Sequence, residues 1–510
     1  MCTLTSTCTW AHSLRRGSVC TYVYICVQGL TRFARVCRVM SERVGRAIIK
    51  SLCNSFFLKI FSFILTIITV RYSSVSDYGE ISLYLPLIVS VSTFFLKEGF
   101  RRSALKCDDY RVSIQICVLG CLMASVWTTG VVCWWFTTTH TPLRTCATLY
   151  LALIIDIFAE PFLVHHIVHN QNLTIRSQTD LFANIARSVV LLLCTIATVQ
   201  CQLAFGIAQF AYSLLWFSFL FTRLPVSLFL PIHINTTTRM SLSEFVLMSV
   251  QKLFLAEGEK FLTLMYLSSE SVGKLSLVNN LGSLVLRLIY APIEDIAFSA
   301  CTQSKSKTER IKVLQSVLLV EILVGLTGLA FAVPVCQSIV YLLYGTVWSS
   351  DPELVLLLQV YVSVLLILFA ANGALEAYYF AVANSVQIRT SFVYQWAAFA
   401  VLTICICGLS ATTNYEPGLM ILIGNGLSMI VRITGTLQIF NSWKNMFHPL
   451  FKTLTMRVLV GGIILRIILL YLDTNTPFAQ LGTSCVCAAA TLASIFRPVK
   501  TVLIDNIKRE

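Results

Sequence analysis

Residues 313–343 read VLQSVLLVEILVGLTGLAFAVPVCQSIVYLL, and Glu321 is the one charged side chain among them. A helix needs about 20 apolar residues to cross the hydrocarbon of a bilayer, so this run spans it with residues to spare. Comparable runs recur along the chain, with approximate limits 52–70, 81–97, 113–136, 146–168, 180–199, 203–222, 246–267, 275–299, 354–383, 391–410, 418–440, 455–472 and 478–496. Composition agrees with them: 56% of the 510 residues are hydrophobic and 12% are charged, against about 25% charged in soluble domains. Mean hydropathy is +0.78. These values exclude secreted, cytosolic and disordered classes. The predicted fold is an all-α polytopic membrane protein of about fourteen transmembrane helices.

Charge separates the connections into two sets. Arg101, Arg102, Lys106 and Arg111 fall in one set, followed by Arg176, Arg223, Arg239, Lys305, Lys307, Arg310, Lys312, Arg389, Lys444 and Lys452. The opposite set carries Arg71, Arg144 and Lys274 beside Asp351, Glu353, Glu416 and Asp473. Cytoplasmic loops collect Lys and Arg, so both termini are expected in the cytoplasm. The same rule accounts for the +14 net charge without nucleic acid as a partner. The sequons at Asn172 and Asn235 then lie on the cytoplasmic side and are expected to stay unglycosylated. Many of the 19 cysteines sit in apolar runs, and no CxxC pair occurs, so neither a disulfide framework nor a metal site is indicated.

The longest polar connection divides the spans. The expected organisation is an atypical extension at 1–39, a first bundle at 40–222, a cytoplasmic linker at 223–245, a second bundle at 246–496 and a tail at 497–510. The extension carries Arg15-Arg16 and a short apolar stretch, without the cleavage site of a signal peptide. It reads as a loose tail or an over-extended gene product.

Charges inside apolar spans need a partner, a wet cavity or a headgroup. Lys59, Arg187, Arg287, Arg432, Arg457 and Arg466 lie in spans, as do Glu321 and Glu376, with Glu98 at a span end. The basic excess favours an anionic guest. The densest group is Lys252 with Glu257, Glu259 and Lys260, in which Glu257 and Lys260 are spaced to pair along one helix. Arg287 and Glu294 are two turns apart, on one stripe of an uninterrupted helix, and Pro292 marks a break between them. His165 and His169 have metal-ligand spacing, but no HExxH carboxylate accompanies them, so an interfacial role is the better reading. No nucleophilic triad, phosphate loop or dinucleotide fingerprint is present, and neither catalysis nor a cofactor is expected.

Ala256-Glu257-Gly258-Glu259-Lys260, Val278-Asn279-Asn280-Leu281-Gly282-Ser283-Leu284-Val285, Arg287-Leu288-Ile289 and Pro292-Ile293-Glu294 resemble the signature of one family. Glu98-Gly99-Phe100-Arg101-Arg102, Glu160-Pro161-Phe162, Asn372-Gly373 with Glu376, and Val431-Arg432-Ile433-Thr434 follow the same family's order. It comprises the eukaryotic endoplasmic-reticulum oligosaccharide translocation proteins, named for "requiring fifty-three" and associated with moving Man(5)GlcNAc(2)-PP-dolichol across the membrane. The resemblance covers most of residues 40–510. It implies a fourteen-helix fold of the multidrug/oligosaccharidyl-lipid/polysaccharide exporter superfamily, residence in the endoplasmic reticulum membrane and service to N-glycosylation.

On that reading the partners are the bilayer, a dolichyl-diphosphate-linked oligosaccharide and other proteins of the glycosylation pathway. Lys59, Arg101, Arg102, Lys260, Arg287 and Arg432 are the candidates to face the diphosphate, since guanidinium forks suit phosphate oxygens. Glu98, Glu257, Glu259, Glu294 and Glu376 would hold those bases when the site is empty. Two alternatives stay open. One is an accessory factor of the same pathway that does not itself flip lipid. The other is an ion-coupled exporter of small solutes, with Glu321 and Glu376 as its ion sites. The lumenal connections are too short to house a glycosyltransferase site.

Overall fold

Apolar runs in hydrocarbon have no water to satisfy their backbone, so they coil into helices that close every hydrogen bond internally. The computed structural model describes residues 57, 59–107, 109–139, 141–170, 175–222, 236–303, 306–383, 385–410, 417–440, 451–471 and 476–507. The expectations for residues 1–39, Asn172 and Asn235 lie outside them. In the first half the helices are α1 (59–72), α2 (Val75–Leu105), α3 (Tyr110–Thr139), α4 (Leu143–Val168), α5 (Ile175–Ile196) and α6 (Cys201–Leu220). The second half opens with α7 (Thr236–Tyr266) and continues with α8, built from Ser269–Val285, Leu286–Tyr290 and Ala291–Gln303. It ends with α9 (Lys307–Tyr344), α10 (Pro352–Val382), α11 (Ser385–Ser410), α12 (Pro417–Phe440), α13 (Phe451–Tyr471) and α14 (Pro477–Ile507). No strand occurs among the described residues.

Eleven of these helices are long and apolar enough to cross a membrane. The described part of α1 is short. Helices α7 and α8 have the length, but Lys252, Glu257, Glu259 and Lys260 on one, and Lys274, Arg287, Glu294 and Asp295 on the other, make them too polar. Those two helices carry the region of densest charge, and the structure puts much of it on an internal surface.

Several helices depart from α geometry in the same way. Single π-turns interrupt α2 at Glu80–Tyr84 and Phe95–Phe100, α8 at Leu286–Tyr290, α9 at Gly328–Ala332 and α10 at Tyr361–Leu365. A π-turn adds a residue to one turn and rotates everything beyond it. The break expected at Pro292 takes this form. Ala291 N–H bonds back to Leu286 O, and Pro292 has no N–H to offer, so the Arg287 carbonyl loses both of its possible backbone donors. Lys59 Nζ on α1 donates to that carbonyl instead, at 3.1 Å.

Two ion pairs to fully buried carboxylates fasten α2 to α4. Lys97 Nζ lies 2.7 Å from Asp156 Oδ2, and Arg101 Nη1 lies 3.2 Å from Glu160 Oε1. The bases are four residues apart and so are the acids, which makes a two-rung ladder. Around it Leu96, Phe100, Ile114, Cys117 and Ile157 form an apolar cluster.

At the end expected to face the lumen, α2 and α8 touch backbone to backbone. A Cβ on Gly79 would strike Ser269 O, and one on Gly273 would strike Val75 O. One residue on, Lys274 Nζ sits 2.6 Å from Glu353, 2.7 Å from Asp351 and 3.2 Å from Glu270, tying α8 to α10. Burial pulls the Lys274 ammonium down, but its bonds to Asp351, Glu353 and Glu270 outweigh that and hold it above its ordinary range. Arg71 Nε donates to Leu343 O at 2.7 Å, capping α9. Gly345 ends that helix at φ +94°, a conformation that only glycine adopts without strain.

Candidate functional site

Helices from both halves enclose a cavity of about 810 Å³. Each contributes a polar stripe at helical spacing. Helix α8 presents Ser276, Asn279, Asn280, Ser283 and Arg287, at offsets of three, four, seven and eleven residues, which fall on one face. Helix α12 presents Asn425, Ser428 and Arg432, and α1 presents Ser62, Thr66 and Thr69. Glu259, Lys260 and Thr263 come from α7, and Arg187 and Ser188 from α5. Polar faces turned inward from apolar helices are the pattern of a water-filled path through a membrane.

Three of the π-turns deliver residues to this surface: Ser82 from α2, Arg287 from α8 and Tyr361 from α10. The α8 turn also separates Arg287 from Glu294. An unbroken α-helix would put them on one stripe, but beyond the added residue the stripe turns away. Arg287 lines the cavity, whereas the Glu294 carboxylate packs on Gly373 of α10.

Electrostatically the cavity is lopsided. Its charged lining consists of Arg187, Lys260, Arg287 and Arg432 against Glu259 alone. Lys260 is neutralised by Glu257 Oε2 at 2.8 Å. The three guanidinium groups have no carboxylate within 4.0 Å among the described residues. Arg287 donates to Ser283 O at 3.3 Å, to Asn280 Oδ1 at 3.2 Å and to the Ser283 hydroxyl. Arg187 reaches Gln209 Oε1 at 3.5 Å and lies over the Tyr212 ring. The Arg432 Nε–H is buried without an acceptor. Glu259 accepts from Asn425 Nδ2 at 2.7 Å, which anchors α7 to α12.

Of the residues singled out from sequence, Lys260, Arg287, Arg432 and Glu259 meet at the cavity. Lys59 stands behind it, holding the Arg287 main chain. Glu257 lies just outside the lining, between Lys260 and the Ser90 hydroxyl, which donates to it at 2.8 Å. Arg101 is locked to Glu160 away from the lining. Arg102 pairs with Glu98 at 2.5 Å, and Lys252 approaches the same carboxylate at 3.8 Å. Asn372 Nδ2 donates to Glu376 at 3.2 Å, and Glu376 shares a small side chamber with Arg432. Glu321 is fully buried, and neither of its carboxylate oxygens has a hydrogen-bond partner. Arg187 was flagged as an embedded charge but not assigned to the site. The signal that finds it is its place on the inner face of α5, beside Ser188. At the far end of α4, Tyr110 OH and His165 Nδ1 are 2.6 Å apart and His165 stacks on His169, so the histidines serve packing there.

The helical fold has a counterpart among solved structures. The lipid II flippase MurJ, in an inward closed conformation, matches with a TM-score of 0.64 at 12% identity, over 88% of this chain and 99% of that one. The likeness is one of fold, and the long apolar helices make this a multi-pass membrane protein.

Within that class the sequence matches the Rft protein family over residues 47–509, and the chain belongs to that family. Its relatives include the Mus musculus Man(5)GlcNAc(2)-PP-dolichol translocation protein RFT1, 24% identical over 89% of this chain and 94% of the mouse protein. The Xenopus tropicalis protein of the same name is 25% identical over 74% of this chain and 78% of its own length. The Schizosaccharomyces pombe protein is 32% identical over 27% of each chain.

Proposed function

We propose that this protein carries a dolichyl-diphosphate-linked oligosaccharide, Man(5)GlcNAc(2)-PP-dolichol, from the cytosolic to the lumenal leaflet of the endoplasmic reticulum membrane for N-glycosylation. The observation that carries the reading is the set of three guanidinium groups, Arg187, Arg287 and Arg432, that face one cavity without a carboxylate partner among the described residues. A diphosphate is a compact anion that such forks bind in two-pronged fashion. Its cost in hydrocarbon is what a transporter must remove. The cavity accommodates a diphosphate with its neighbouring sugars, while the dolichyl tail stays in lipid. Fourteen spans in two bundles, with both termini in the cytoplasm, complete the proposed arrangement.

The test is the lipid-linked oligosaccharide profile of cells depleted of the protein and rescued with wild type or Arg287→Ala. Accumulation of the heptasaccharide lipid, cured by wild type and not by Arg287→Ala, supports the reading. An unchanged profile on depletion rejects it. Purified protein in vesicles separates direct flipping from an accessory role in the same pathway. The ion-coupled alternative rests on the carboxylates of Glu321 and Glu376. It requires vesicle transport to depend on a proton or sodium gradient.

A further inference from the structure

Among the polar side chains of the cavity left over once the basic groups are accounted for are four on α2, α8 and α12. Ser82 Oγ is buried without a hydrogen-bond partner. Ser428 is 3% exposed, lines the cavity and makes no side-chain hydrogen bond among the described residues. Ser276 and Asn279 likewise line it with unspent hydroxyl and amide groups. Several other hydroxyls on these walls are spent within their own helices. Thr66, Thr69, Ser188 and Thr263 each return a bond to the carbonyl four residues earlier, at 2.8, 2.9, 2.9 and 2.8 Å respectively. Buried polar groups in folded proteins are almost always satisfied, so unspent ones on a cavity wall mark where a hydroxyl-rich guest or ordered water completes the bonding.

Their placement is ordered. Along α8 the sequence runs from the Gly273 backbone contact and the Lys274 ion cluster, through Ser276 and Asn279, to Arg287. At roughly 1.5 Å per residue, Asn279 lies about 12 Å along the axis from Arg287 and Ser276 about 16 Å. Ser82 stands on α2 three residues beyond Gly79, whose partner on α8 is Gly273, so it sits at the same tier as Ser276. Along α8, uncharged groups thus lie between Arg287 and the closed end.

We infer that the uncharged group of Ser82, Ser276 and Asn279, with Ser428 one turn from Arg432 on α12, is a saccharide subsite. It would read the hydroxyl and acetamido groups of the sugars bonded directly to the diphosphate. The inference rests on the function proposed above and adds that recognition extends past phosphate to the first sugars. Neutral amides and hydroxyls bond sugar hydroxyls without the ionic attraction that would hold a phosphate too tightly to release. The glycan enters this tier first when the lipid moves toward the closed end.

The test measures binding of two probes to purified protein in nanodiscs: dolichyl diphosphate and dolichyl diphosphate bearing two N-acetylglucosamine units. Wild type is expected to prefer the sugar-bearing lipid by about tenfold or more, each retained hydrogen bond contributing roughly a three- to tenfold factor. Ser276→Ala/Asn279→Ala should erase most of that preference and leave the affinity for bare dolichyl diphosphate unchanged. Equal affinity of wild type for the two probes overturns the subsite while leaving the anion site intact. No binding of either probe overturns the underlying function instead. If the double variant loses both affinities through misfolding, Ser82→Ala carries the same expectation with one hydroxyl removed, a loss of about threefold confined to the sugar-bearing probe. A uniform loss in that well-folded variant also refutes the subsite.

Discussion

Replacing Glu160 with alanine removes the counter-charge of a guanidinium that is 5% exposed, from a partner that is fully buried. The two groups share contacts of 3.2 and 3.5 Å, and no other carboxylate lies within 4.0 Å of Arg101 among the described residues. Breaking a buried pair from one side strands a charge and costs about 3–5 kcal/mol, whereas replacing both partners by apolar residues of similar volume is nearly neutral. Glu160→Ala should therefore lower the ratio of folded to unfolded protein by more than about a hundredfold. Arg101→Met/Glu160→Leu should recover most of that loss. Thermal unfolding of detergent-solubilised protein, followed by the loss of monodisperse material on size exclusion, measures the cycle. Rescue of depleted cells by the double variant then decides the role of Arg101. If Glu160→Ala is as stable as wild type, or if the double variant folds and fails to rescue, the account of Arg101 as a structural base is wrong.

Other outcomes follow from the same contacts. A Cβ on Gly282 would overlap the Tyr361 ring, which is 3% exposed, so Gly282→Ala should cost about 1–3 kcal/mol and Tyr361→Leu should restore part of it, read by thermal unfolding. Lys274→Met leaves Asp351, Glu353 and Glu270 facing one another and should loosen the expected lumenal end, seen as faster labelling of a cysteine placed at Ser276. Glu270→Gln, at an exposed carboxylate, should not. Because the Lys274 ammonium is held above its ordinary value of 10.5, its stabilisation is complete below that pH and disappears only as pH rises through the higher folded value. Labelling should then not vary through deprotonation of Lys274 between about pH 6 and 9. Glu321→Leu removes two unpartnered buried oxygens and should be neutral or stabilising in a melt. A large loss of stability would show that Glu321 has a partner the structure does not reveal.

Apolar runs carried most of the fold into view. The run from 313 to 343 lies within a single helix, Lys307–Tyr344, because length and hydropathy alone decide such a segment. The charged helices α7 and α8 start at Thr236 and Ser269, earlier than the expected 246 and 275, and their inner faces were harder to assign. Arg287 and Glu294 keep α spacing in the sequence, and Pro292 announces a break between them without showing that it takes the form of an extra residue at Leu286–Tyr290. Lys97 and Asp156 escaped notice for a different reason. Asp156 is a lone charge inside an apolar run and Lys97 stands beside Glu98 at the end of another, and only the packing of α2 on α4 shows that they answer one another. Arg187 looked like any embedded base until α5 turned it toward the cavity.

The carbonyl stranded by Pro292 has a mechanical consequence. Lys59 supplies its donor from a helix in the other half of the chain, so α1 is tethered to the middle of α8. A movement that peels α1 from α8 gives up that hydrogen bond, at a cost of about 0.5–1.5 kcal/mol. The tether therefore steers any opening toward displacements in which α1 rides with α8. The seam left to part is where α2 meets α8 at Gly79 and Gly273. That seam closes backbone against backbone, with no side chain to stretch, so it acts as a latch that is either shut or released.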